Sequence, residues 1–94
     1  MRVLGIDPGL DTTGYGVIES TSRGMRIIEA GVIRTVRTTP LAERLQKIHE
    51  QVTILIRQTQ PTAAVLEQLY AHYKHPSTAI LMGHARGVVC LACT

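Results

Sequence analysis

No stretch of this chain of 94 residues approaches the roughly 18 consecutive apolar side chains that a membrane-spanning helix needs. The start is equally short of a secretory leader, because Met1-Arg2 runs straight into Val3-Leu4 with no charged segment ahead of a long apolar one. Both absences lead us to expect a cytoplasmic protein with no membrane partner. Cysteine is scarce: Cys90 and Cys93 stand alone. Their C-x-x-C spacing follows no strand and has no second pair, which disfavours a thioredoxin-like motif and a four-cysteine zinc site and points to buried helical thiols. No internal repeat, low-complexity tract or domain linker is visible, so 1–94 reads as a single small domain.

What is present is a globular composition, with 45% hydrophobic and 18% charged residues, which excludes a disordered chain. Ten Lys+Arg against seven Asp+Glu give a net charge of +3; this suits a polyanionic partner and equally an ordinary surface. The chain is organised around Val3-Leu4-Gly5-Ile6-Asp7-Pro8-Gly9, a short apolar run that ends in a carboxylate and is then broken by Pro-Gly. Ionised Asp7 at the edge of a core needs a cation, a donor or solvent.

The rest of the chain follows in order. Thr12–Glu19 is predicted as a second strand and Met25–Val36 as a third, joined through Thr21-Ser22-Arg23-Gly24 into an antiparallel meander. A helix is predicted to about Gln58, with Thr39 as N-cap and Pro40 as its first residue. Leu41, Leu45, Ile48, Val52, Leu55 and Ile56 form its sheet-facing stripe, while Glu43, Arg44, Lys47, Glu50 and Gln51 face water. Thr62–Glu67 reads as a fourth strand, and it too ends in an acid. A crossover helix lets this strand lie parallel to the first and brings Glu67 near Asp7. Residues 68–76 form a loop carrying Tyr70, His72, Tyr73, Lys74 and His75, after which Ser77 is expected to cap a helix from Thr78 to the end. That helix is apolar on most sides, and it ends where an α/β unit normally adds another strand, so the chain reads as interrupted.

Two carboxylates at neighbouring strand ends suit Mg²⁺ or Mn²⁺, hard cations that take oxygen ligands. Two such ions about 3.5–4 Å apart can promote phosphodiester cleavage, for which two carboxylates are too few. The structural alternative has Asp7 capping its own turn and Glu67 paired with an arginine. His72-x-x-His75 lacks partner ligands for zinc. His84 and Arg86 fit a surface or subunit contact, and Gly83 and Gly87, four apart, permit close helix packing.

Gly5-Ile6-Asp7-Pro8-Gly9, Thr13-Gly14-Tyr15-Gly16-Val17-Ile18, Leu66-Glu67-Gln68 and Gly83-His84-Ala85-Arg86-Gly87-Val88 together resemble, in order and over the whole chain, the RuvC Holliday-junction resolvases. The resemblance implies an α/β RNase H-like fold whose mixed sheet has strand order 3-2-1-4, with the fifth strand missing. It also implies a Mg²⁺- or Mn²⁺-dependent endonuclease acting on four-way junction DNA, a homodimer, and a branch-migration complex as partner. Asp7 and Glu67 match the family's first two metal-binding catalytic acids. Tyr70 matches an aromatic position that would contact DNA, with Lys74 beside it. Two further acids of the family pattern have no match before Thr94, which implies a C-terminally truncated, inactive piece. The Asp-turn-Gly hairpin is also similar to the first phosphate loop of actin- and sugar-kinase-like ATPases, although Leu10 and Asp11 intervene before Thr12-Thr13. A non-catalytic module derived from a nuclease is the third reading.

Overall fold

Alternation along the first strand, β1 (Arg2–Asp7), buries Leu4 and Ile6 on one side and turns Val3, Gly5 and Asp7 to the other. In the computed structural model, which describes residues 1–67 and 75–94, β1 pairs antiparallel with β2 (Thr12–Thr21), setting Leu4 opposite Val17 and Asp7 opposite Gly14. The outer neighbour of β2 is β3 (Gly24–Arg34), also antiparallel, with a register shift at Val17/Ile18. Helix α1 (Leu41–Thr59) then crosses over to β4 (Ala63–Leu66), which runs parallel to β1 with Ile6 opposite Leu66. The described sheet therefore has the order β3-β2-β1-β4, the mixed α/β arrangement expected from the sequence. A second helix, α2 (Pro76–Ala92), packs against α1.

Both helix starts differ from the sequence reading. Pro40, at φ −53° and ψ 143°, is the N-cap of α1, and its carbonyl accepts the amides of Glu43 and Arg44. Thr39 makes no cap. At α2 the N-cap is His75, with Pro76 in the first turn and no side-chain cap from Ser77. In each case proline stands at the boundary: its fixed φ suits a helix start, and it pushes the preceding residue towards extended backbone. At its other end α1 closes through Gln60 in the left-handed region at φ 50°, while the Arg2 guanidinium donates to the Thr59 carbonyl at 2.7 Å.

One face of the sheet holds the core. Leu4, Ile6, Val17 and Ile33 meet Ile48, Val52 and Leu55 of α1 and Ala85 and Val89 of α2. Leu45 and Ile56 pack partly against this cluster, but Leu41 is exposed, and the place predicted for it on the stripe is taken by Arg44, only 9% exposed. The sequence reading put Arg44 in water; its spacing of four from Ile48 and eight from Val52 sets it inward. Burial is tolerated because the guanidinium is paired: Nη2 donates to Asp11 Oδ1 at 2.5 Å and Nε to Thr35 Oγ1 at 2.8 Å. Thr35 Oγ1 donates onward to the Leu10 carbonyl at 2.6 Å, and the exposed Arg37 donates to Asp11 Oδ2 at 2.7 and 3.0 Å. The buried-thiol expectation holds only in part, since Cys90 is exposed and Cys93, closing α2, is half-buried.

The other face is uncovered among the described residues. Val3, Gly5, Gly14, Gly16, Ile18, Ile27, Ala30, Val32 and Val65 share it by register, and Ile27, Val32 and Val65 are 70%, 49% and 60% exposed. On α2, Ile80, Leu81 and Leu91 are exposed, whereas Val89 is fully buried in the core and Val88 partly so.

The Asp11 carboxyl is held below its ordinary 3.8 by hydrogen bonds from Arg37 and then Arg44. A lowered folded-state pKa contributes stability that is present above the unfolded value and lost as pH falls through the folded one. Acid titration of folding, followed by circular dichroism, should therefore be shallower in Asp11→Asn than in the unmodified chain below about pH 4. Superimposable acid limbs would show that the network adds nothing to stability.

Candidate functional site

The turn between β1 and β2 is built to hold Asp7 at a fixed strand end. Pro8 cannot continue the ladder, and Gly9 tolerates no side chain, since a Cβ there would lie 2.3 Å from the Thr12 carbonyl oxygen. The lock is Thr13, which is fully buried: its hydroxyl donates to the Gly9 carbonyl at 2.7 Å and accepts the Gly9 amide at 3.2 Å. Pro8, Gly9 and Leu10 are buried beneath this turn while Asp7 stays exposed. Gly14, opposite Asp7, places no side chain over the carboxylate.

Parallel pairing brings the second acid to the same end. The Glu67 amide donates to the Ile6 carbonyl at 2.9 Å, one step beyond the Ile6–Leu66 pair, so Glu67 leaves β4 beside Asp7. Asp7 and Glu67, both exposed, line one shallow open cleft with Gly5, Gly14, Tyr15 and Val65. Neither acid takes the structural role available to it. The turn at Gly9 is closed by Thr13, not Asp7, and Arg86, on α2, donates through Nη1 to the Glu67 backbone carbonyl and not to its carboxylate. Among the described residues neither acid joins an ion pair.

Two oxygen-donor carboxylates open to water fit a cation such as Mg²⁺, which keeps several waters and takes one or two carboxylates. Among the described residues no group of three or more His, Cys, Asp or Glu side chains forms a larger ligand set. Tyr70 and Lys74, the two positions expected to contact DNA, lie outside the described residues, as do His72 and Tyr73. His84 is exposed.

A second cleft, of about 620 Å³, opens on the far side of the same turn. Asp7 to Thr12 form one wall, Arg37 and Arg44 another, and Thr78, Leu81 and Met82 of α2 the third. Sequence reasoning missed Asp11, Arg37, Arg44 and Thr13. The one available signal was the spacing of Arg44 with Ile48 and Val52; nothing in the sequence pairs Asp11 with residues 26 and 33 positions away.

Residues 3–94 match the family described as Crossover junction endodeoxyribonuclease RuvC. A protein of that name from Rhodopirellula baltica is 51% identical over 90 residues, which are 96% of this chain and 51% of that protein. The Thermus thermophilus structure titled as RuvC in complex with Holliday junction substrate aligns with a TM-score of 0.87 at 32% identity, over 98% of this chain and 58% of that one. An Aquifex aeolicus PPX-GPPA enzyme aligns at TM-score 0.63 and 15% identity over 96% of this chain and 33% of its own, a likeness of fold alone. The chain spans about half the length of the relatives it matches.

Replacing Thr13 by valine keeps the volume and removes the lock, leaving the Gly9 amide and carbonyl without their partner in a buried turn. We expect a loss of about 1–3 kcal/mol in urea unfolding, most of it recovered by Thr13→Ser, which restores the hydroxyl. Valine and serine variants of equal stability would show that the hydroxyl is not what closes the turn.

Proposed function

The chain belongs to the RuvC family of crossover junction endodeoxyribonucleases, and from that premise we propose that it carries the first half of a divalent-metal-dependent active site acting on four-way DNA junctions. The observation that supports this most is the arrival of Asp7 and Glu67 at the same end of neighbouring parallel strands, in one open cleft. In this reading both carboxylates are the metal ligands and the catalytic acids. A Mg²⁺ or Mn²⁺ ion held there supplies Lewis acidity towards a phosphodiester and a water of lowered pKa.

The residues of the chain have distinct tasks. Thr13 and Gly9 hold Asp7 in place, and Arg86 fixes the backbone from which Glu67 projects. Gly14 leaves room beside the acids for a strand of DNA. Tyr70, by its position in the sequence, stacks on an unpaired base, and Lys74 contacts phosphate. The kinase-like alternative rests on this turn alone, where Leu10 and Asp11 intervene before Thr12-Thr13 and the Thr13 hydroxyl is committed to Gly9.

A homodimer is part of the same proposal, with a branch-migration complex as the further partner of the whole protein. What supports the dimer is the outer surface of α2: Ile80 and Leu91 are 62% and 63% exposed, and a Cβ on Gly83 or Gly87 would meet nothing within 4 Å. Glycines with open space beside them let a second helix approach closely.

Two measurements test this reading. Mn²⁺ should broaden the backbone resonances of residues 5–9 and 65–67 selectively, and Asp7→Asn should weaken that binding at least about tenfold, the cost of losing one of two charged ligands. Uniform broadening, or an unchanged affinity in the variant, would remove Asp7 from the metal site. Sedimentation equilibrium should show self-association that Gly87→Leu abolishes while the secondary structure is retained; a monomer in both cases would exclude α2 as the interface of this chain.

A further inference from the structure

The cleft on the helix side of the Asp7 turn has an electrostatic arrangement that the metal site does not use. Asp11 lies at its rim and accepts from two guanidinium groups, so the cluster of Asp11, Arg37 and Arg44 carries a net positive charge. The two arginines differ. Arg44, with its side chain 10% exposed, is consumed by Asp11 and Thr35 and holds the start of α1 to the turn. Arg37, with its side chain 83% exposed, spends Nε and Nη2 on one oxygen of Asp11 and leaves Nη1 uncommitted among the described residues. Asp11 thus acts as a tether that keeps an exposed guanidinium at one place, and that place is a cleft whose wall also contains Asp7.

The remaining walls favour a nucleotide over a protein carboxylate. Leu10, Leu81 and Met82 offer an apolar surface matched to a deoxyribose or base edge, and Thr78 adds a hydroxyl in the first turn of α2, which carries no acidic residue. Nη1 of Arg37 keeps its N–H donors for a phosphate oxygen, and most protein–DNA hydrogen bonds go to phosphate and sugar in this positioning role.

We propose that Arg37, tethered by Asp11, is a phosphate contact: it binds a backbone phosphodiester of the DNA strand next to the one presented to Asp7 and Glu67, and so sets the position of that strand in the site. This rests on the nuclease reading above and names a subsite within it. Arg37 is a positioning residue, not a catalytic one, because it faces the neighbouring phosphate and not the reacting atoms.

The test is binding of a fluorescein-labelled four-way junction to the chain, by anisotropy, over a series of salt concentrations. Losing one phosphate contact should lower the slope of log K against log salt by about one and weaken binding by on the order of tenfold near 0.1 M salt. Arg37→Gln should show both effects. Arg37→Lys should keep the slope and lose part of the affinity, since the charge stays and the fork goes. Unfolding midpoints identify the folded variants, and the exposure of Arg37 makes its substitution compatible with an intact fold. Equal salt slopes for Arg37→Gln and the unmodified chain would overturn the subsite while leaving the nuclease reading in place. Displacement of the junction by inorganic phosphate at matched ionic strength would make the cleft a free-anion site and overturn the proposal too. If the unmodified chain shows no salt-dependent junction binding, the nuclease reading itself fails, and this subsite with it.

Discussion

Parallel pairing of β4 with β1 is the constraint on which the rest of the molecule depends. A hairpin cannot produce it: two parallel strands need a connection long enough to return the chain to its starting edge, and here α1 is that connection. The helix must then lie on one face of the sheet, which fixes where the core forms and which side of each strand is apolar. The same pairing carries Glu67 to the end of the sheet where Asp7 already stands, with the Glu67 amide bonded to the Ile6 carbonyl. Fold and site therefore share one cause. A hairpin return into β4 would have placed its terminal acid at the opposite end from Asp7 and left the two carboxylates apart.

The buried Arg44 is the second organising feature, and it belongs to electrostatics more than to packing. Leaving a guanidinium unpaired in a small core would cost several kcal/mol, comparable with a large part of the roughly 5–15 kcal/mol that stabilises a typical domain. The pairing with Asp11 and Thr35 is therefore obligatory once Arg44 points inward. It obliges three segments to meet: the turn after β1, the end of β3 and the first turns of α1. The ion pair fixes relative positions more than it adds net stability, and what it positions is the turn that presents Asp7.

Much of this was legible in the sequence, for reasons that differ by element. The four strands and the shared end of the two acids follow from β-branched runs, turn residues and a helix of crossover length, whereas the order 3-2-1-4 was implied by the family resemblance. The helix starts were misplaced because Thr39 and Ser77 are good capping residues in isolation, while Pro40 and Pro76 dictate local backbone geometry more strongly than a side-chain hydrogen bond can. Arg44 was misread because charge normally implies exposure, and the exception depends on Asp11, a partner 33 positions away. Thr13 was seen only as part of a strand. Its role depends on the turn folding back by four residues, so that its hydroxyl reaches both polar groups of Gly9. Pairings of that kind appear only when the backbone is closed.

The two acids and the exposed apolar side chains occupy the same face of the sheet, and the two facts have one explanation. A sheet buries one face against a helix layer and needs a second layer if the other face is also apolar. Among the described residues only the first layer exists: Ile27, Val32 and Val65 stand in water on a floor of Gly5, Gly14 and Gly16. Asp7 points to that side by strand alternation, and the cleft it shares with Glu67 opens there, through Val65 and Gly14. A cation bound by two carboxylates on a bare face keeps most of its coordination as water and is held weakly and imprecisely. Strand alternation and parallel pairing thus assign both acids to the face that the described residues leave open, and the same openness keeps their carboxylates in water.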